Sequence, residues 1–157
     1  MITVKINNHK FEADLKRVMR KVEGEGRAVI LKAGGQAIAS MATRAFRDET
    51  LRPAEWAPLE PATLKKKKAG RTSPLIDTGT MFRSIRVNQP SGDTVEIVTD
   101  RYQATFHQFG TKKMPARPFI PATGGEGGGE ANLIPEAEKR VRRAMEAQTR
   151  QVLGENP

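Results

Sequence analysis

The stretch YQATFHQFGTKKMPARPF, residues 102–119, is where the chain turns from regular structure to something more constrained. Its first half carries apolar residues at two spacings. Tyr102, Phe106 and Phe109 suit a helix, while Tyr102, Ala104 and Phe106 suit a strand; the short helix is the preferred reading. Gly110, Pro115 and Pro118 then forbid a long helix or a central strand. Arg117 sits between these prolines with little backbone entropy left to lose. A guanidinium so presented suits a bidentate carboxylate partner, and an ion pair closing its own loop is equally open. Ordering such a segment is costly. Its expected purpose is to fix a surface for assembly, because no cysteine, second histidine or phosphate loop accompanies it.

Upstream, residues 1–6 alternate apolar and charged side chains, as a short strand or extended arm does. Phe11, Leu15, Val18 and Val22 fall at helical spacing and stop at Gly24–Gly26. A second helix is expected over about residues 27–47, with Ile30, Gly34, Ala37, Ile38, Met41, Ala45 and Phe46 as its stripe. Gly34 and Gly35 inside it cost about 1 kcal/mol each against alanine, so they mark either a close approach or a kink. Residues 48–80 form a long loop punctuated by Pro53, Pro58, Pro61 and Pro74. A connection of that length is functional or disordered in isolation. Trp56 is its expected anchor, and residues 65–72 read as mobile.

Downstream of that loop, Ile85 and Val87, a turn at 89–93, and Val95 and Ile97 read as a β-hairpin. Residues 110–130 are expected to be loop ending in a glycine-rich flexible linker. A C-terminal helix should occupy residues 133–153, opened by Pro135. Its thin apolar stripe is Ile134, Ala137, Val141, Met145 and Val152, under a basic exterior of Lys139, Arg140, Arg142, Arg143 and Arg150. No internal repeat is visible.

At 157 residues the chain reads as one domain spanning 1–157, with a modest core: 37% hydrophobic, 5% aromatic, mean hydropathy -0.57. It has no apolar run near the ~20 residues of a membrane span and no secretory apolar region, so cytoplasmic synthesis and no membrane association are expected. The absence of cysteine excludes disulfide and thiolate chemistry. A net charge of +9 fits either nucleic-acid binding or a solvated, partner-facing surface. The charge is spread along the chain, and the one solid run, Lys65, Lys66, Lys67 and Lys68, lacks stacking aromatics. Those four lysines could face DNA without reading it.

Candidate chemistry is thin. His107 as a base would need an orienting carboxylate and a nucleophile, and nothing places Asp77 or Asp100 beside it. A metal site would need three ligands, which two histidines and no cysteine make improbable. The glycine run lacks the ending of a phosphate-binding loop. No cofactor, metal or catalytic residue is expected. Asp77, Thr78 and Gly79 read as a turn that caps a short helix.

Four pieces in order carry a family resemblance: Trp56, Leu59, Thr63 and Lys65; Leu75, Asp77, Gly79, Met81, Ser84 and Ile85; Tyr102, His107, Phe109 and Gly110; and Pro115, Arg117, Pro118 and Phe119. Together they resemble the virion morphogenesis (tail completion) proteins of tailed bacteriophages, relatives of tail-terminator and head–tail joining proteins. Met81 stands where leucine is usual, and the glycine insert before the last helix is unusual.

The resemblance implies an α+β fold: a small antiparallel sheet packed against a long N-terminal helix or helix pair, with a C-terminal helix and long extended loops. It implies a non-enzymatic subunit of the virion tail or neck, assembled in the host cytoplasm into a ring, expected to be a hexamer. Its partners would be itself, the tail tube protein and the head or neck connector, with genome DNA passing through unread. Assembly residues on this reading are Trp56, Leu59, Asp77, Gly79, Tyr102, Phe106, His107, Phe109, Gly110, Arg117 and Phe119. Trp56 and Leu59 would anchor the loop, Tyr102, Phe106 and Phe109 would form a packed platform, and Arg117 and Phe119 would touch a neighbour. The rivals are a basic nucleic-acid-binding module and a small hydrolase or nuclease using His107 and Asp77.

Overall fold

The computed structural model describes residues 5–6, 16, 20, 22, 24–67, 72–92, 94–124 and 130–154. Its elements in chain order are β1 (Lys5–Ile6), α1 (Glu25–Arg44), a 3-10 turn (Glu49–Leu51), α2 (Pro61–Lys66) and α3 (Thr80–Arg83). There follow β2 (Arg86–Val87), β3 (Ile97–Val98), α4 (Gln103–Phe109), β4 (Ala122–Gly124), β5 (Glu130–Leu133) and α5 (Pro135–Leu153). The mixed α+β architecture, with a long N-terminal helix and a C-terminal helix, is the one expected. The helix proposed over residues 11–22 lies almost wholly outside the described residues.

Gly34 and Gly35 decide how the layers meet. A methyl group on Gly34 would stand 2.9 Å from Met145 Sδ, and one on Gly35 would stand 2.7 Å from Val95 Cγ2 and 2.9 Å from Val87 Cγ1. Adjacent positions on a helix point about 100° apart, so the two glycines seat two different layers. Gly34 receives α5, and Gly35 receives the hairpin of β2 and β3. Of the two readings open in the sequence, close approach holds, and side chains rather than backbone do the approaching. The helix itself runs unbroken.

α5 lies antiparallel along α1. At its far end Val152 Cγ1 stands 2.8 Å from where a Gly26 methyl would be. The buried face of α5 is Ala137, Val141, Met145 and Thr149, a strict four-residue step. Thr149 is tolerated there because its hydroxyl donates to the Met145 carbonyl at 2.7 Å. Val152, expected on the stripe, meets α1 at Gly26 but is 37% exposed, close to the end of the helix.

Two sheets flank this helix pair. β2 and β3 pair antiparallel, Val87 opposite Ile97. The second sheet has the order β1-β5-β4 and is mixed: β1 runs parallel to β5, and β4 antiparallel to it. Within the stretch read as loop and linker, residues 122–124 form β4 and residue 130 opens β5, while the flexible-linker reading of the glycine run falls on residues 125–129, outside the described residues. Ala122 pairs with Leu133 and Gly124 with Ala131, so the glycine run joins two strands held in register. The alternation of buried Ala131, exposed Asn132 and buried Leu133 was present but too short to stand out beside the glycines. The long connection at 48–80 is also more structured than expected, with the 3-10 turn, α2 and α3 along it.

Candidate functional site

Phe46, at the end of α1, is 1% exposed and is the hub of an aromatic cluster. Its ring meets Trp56 edge-on at 6.0 Å, Phe82 at 5.7 Å and Phe119 at 5.2 Å. Arg52 lies over the other side of Trp56, its Cζ 3.8 Å from the ring centroid. That guanidinium is fixed from behind by the Ala45 carbonyl at 2.8 Å and Glu49 at 2.9 Å. Asp48 starts the same turn, accepting from the Thr50 hydroxyl at 2.6 Å and the Thr50 N–H at 3.1 Å. Those bonds, the hydroxyl first, hold its carboxyl below the usual carboxylate value.

Onto this cluster closes a clasp between residues 56–58 and 117–120. Trp56 Nε1 donates to the Pro118 carbonyl at 2.7 Å. In the reverse direction Arg117 Nε donates to the Ala57 carbonyl and Nη2 to the Pro58 carbonyl, both at 2.9 Å. Gln108, buried on α4, accepts from the Phe119 and Ile120 N–H groups at 3.1 Å each. The Arg117 N–H donates to the His107 carbonyl at 2.6 Å. Gly110 permits this fold-back: its φ is 75°, and a Cβ there would stand 2.9 Å from Ala116 N.

The clasp corrects the reading of Arg117 and Phe119 as contacts offered to a neighbour. Arg117 is 6% exposed and Phe119 1%, so their surfaces are already spent inside the subunit. Arg117 holds two backbone carbonyls, which neither of its sequence readings, a partner carboxylate or an internal ion pair, had named. The expected platform of Tyr102, Phe106 and Phe109 also divides. Phe109 packs against the core, whereas Tyr102 and Phe106 are 67% and 45% exposed and meet edge-on at 6.0 Å. One turn of helix separates that outward pair, and three residues carry Phe109 round to the inside.

The remaining sequence candidates are scattered. Leu59 is half-buried, Asp77 is exposed and Gly79 is buried. Gly79 precedes α3 with φ 76°, and Thr78 Oγ1 accepts from the Thr80 N–H at 3.4 Å. His107 is partly buried, and its Nδ1 is enclosed without a hydrogen-bond partner among the described residues. Burial and, secondly, the charge of Arg117 hold its pKa below the ordinary histidine value. No carboxylate among the described residues bonds the His107 Nδ1. Among the described residues no three His, Cys, Asp or Glu side chains gather to hold a metal ion.

The lysine run separates as well. Lys65 and Lys66 are exposed on α2, but Lys67 Nζ donates to the Ser73 carbonyl and, at 2.9 Å, to the Ile76 carbonyl. It pins its own loop, which corrects its place among DNA-facing groups; Lys68 lies outside the described residues.

One open cleft of about 310 Å³ went unread in the sequence. Thr80, Arg83, Ser84, Arg86, Asp100 and Arg101 line it. Asp100 stands 3.3 Å from Arg101 and 4.0 Å from Arg86. The arginines come from α3, β2 and the connection before α4, spacings that carry no motif. Among the described residues no helix is long and apolar enough to cross a membrane.

The sequence profile of the phage virion morphogenesis family matches residues 6–154. No curated protein and no solved structure matches the chain.

Proposed function

The chain belongs to the phage virion morphogenesis family, and from that membership we propose that it is a non-enzymatic subunit that completes or terminates the tail. In this role copies close into a ring at the head-proximal end of the tail, meeting the tube on one face and the head or neck connector on the other. The observation that carries the reading is the extent of the match, residues 6–154, which takes in both long helices and strands β2 to β5.

The physical chemistry supports it in two ways. The clasp over Phe46 fixes residues 56–58 and 117–120 without help from a neighbour, and a rigid subunit loses little entropy on assembly. The exterior is basic, with Lys65 and Lys66 exposed on α2 and a net charge of +9. Such a surface in a ring would draw genome DNA near the wall without reading its sequence.

Electron microscopy of lysates from phage lacking this reading frame tests the role. Full heads with unattached or overlong tails are expected. Normal, infectious particles would remove the proposal.

A further inference from the structure

Charge on this subunit is unevenly placed. In a chain of net +9, residues 48–60 hold Asp48, Glu49, Glu55 and Glu60 against a single cation, Arg52. That arginine is turned inward over Trp56, its side chain 7% exposed. The outward charge of residues 48–60 is therefore negative, and the exposed Lys65 and Lys66 mark its far end on α2. Glu55 and Glu60 are exposed, and Leu64, 41% exposed, follows one turn after Glu60. The Leu64 N–H bonds to the Glu60 carbonyl at 3.0 Å, so Leu64 stands one turn on from the residue that caps the start of α2. The clasp through Trp56 and Arg117 holds this ridge in place.

The cleft of Arg83, Arg86 and Arg101 is the chemical inverse of that ridge. Arg86 and Arg101 share the single carboxylate of Asp100, and Arg83, on the same lining, donates to the Thr78 carbonyl, so three cations stand against one anion. Its walls are tied: Ser84 Oγ lies 2.6 Å from Thr99 Oγ1, and the Arg101 N–H donates to Thr99 Oγ1 at 3.2 Å. Next along the chain stand the exposed rings of Tyr102 and Phe106. Arginine and tyrosine beside a concavity are the residue types enriched where interface energy concentrates.

We infer that the ridge of Glu55, Glu60 and Leu64 on one copy docks into the Arg83–Arg86–Arg101 cleft of the next, with Leu64 covered by Tyr102 and Phe106. This deepens the proposed role and rests on its ring. The two patches are different surfaces, so the contact is head-to-tail, the kind that closes into a ring when its rotation allows. A second copy is favoured as the occupant because the matching charge, the exposed Glu55 and Glu60 with Leu64 one turn after Glu60, is on the chain itself. A duplex gripped by counterion release commonly engages six or more phosphates, and the cleft offers three cations.

Sedimentation of the full chain at low salt tests the contact. The wild type should associate, and added salt should weaken it. R86E/R101E and E55R/E60R should each lose at least tenfold in association. A 1:1 mixture of the two should regain the oligomer, because the intact ridge meets the intact cleft and the two reversed faces complement each other. The chain carrying all four reversals should regain the oligomer, and that recovery also shows that the reversals fold. Association unchanged in R86E/R101E, a wild type monomeric at every concentration, or a folded four-fold variant that stays monomeric would overturn the inference. So would loss of binding to a 30-base-pair duplex in R86E/R101E with self-association intact, which would hand the cleft to DNA. Rings indifferent to these reversals would leave the tail role standing, since that role fails only on the particles made without the reading frame.

Discussion

Replacing Arg117 with methionine keeps an apolar stem and removes the two bonds to the Ala57 and Pro58 carbonyls, each 2.9 Å long. A hydrogen bond from a charged donor contributes roughly 1.5–3 kcal/mol net, so the pair stands for roughly 3–6 kcal/mol before relaxation. Two effects reduce this. Pro58 is exposed and Ala57 half-buried, so water can take over part of the accepting, and the variant no longer strips water from a cation. We predict a loss of about 2–3 kcal/mol, or roughly 5–10 °C in Tm at this chain length. Urea unfolding followed by Trp56 fluorescence, with circular dichroism for the helices, measures it directly because Trp56 is the sole tryptophan. An arginine kept for a neighbour's carboxylate would behave in the opposite way, leaving the monomer unchanged and destroying assembly. Monomer stability within about 0.5 kcal/mol of wild type would refute the clasp, since surface substitutions fall in that range.

Three further perturbations follow. Gly34→Ala should be near neutral by thermal melting, because about 1 kcal/mol of helix propensity offsets displacing the flexible end of Met145, whereas Gly35→Ala meets two branched valines and should be about 1 kcal/mol worse. Equal effects would contradict the assignment of the two glycines to different layers. Gln108→Leu leaves the buried Phe119 and Ile120 N–H groups unpaired and should cost about 2–4 kcal/mol in urea, with a neutral result counting against the fold-back of 117–120. His107 is held below its ordinary pKa, so the folded chain binds fewer protons than the unfolded chain. Stability should therefore fall as pH drops below about 6.5 and level off once pH passes the depressed folded value. His107→Gln should flatten that part of the curve; an unaltered pH slope in paired urea titrations would show that His107 is not the group responsible.

The long elements were legible because their signals are local and repeated. The stripe from Ile30 to Phe46 and the one from Ala137 to Met145 each span several turns, and both helices form. The brief strands at 122–124 and 130–133 were not, because two or three alternations beside a glycine run look like loop. Arg117 and Phe119 were singled out correctly as constrained but assigned to the wrong side of the surface. A sequence shows that proline restrains a guanidinium; it does not show that the Ala57 and Pro58 carbonyls, about sixty residues away, are waiting for it. Gln108 went unnoticed for the same reason, since it acts through the Phe119 and Ile120 N–H groups, and Arg52 because neither the Trp56 ring nor the Ala45 carbonyl it meets is marked by a motif. The cleft escaped because its arginines lie on a helix, a strand and a connection that meet only in the fold.

Cryo-electron microscopy of the finished particle tests the central claim most directly. We predict a single ring at the junction of tail and head, into whose subunits the antiparallel pair of α1 and α5 fits, with the acidic ridge of each copy against the arginine cleft of the next. Density for this chain along the tube or at the distal tip, or none in the particle, would contradict it.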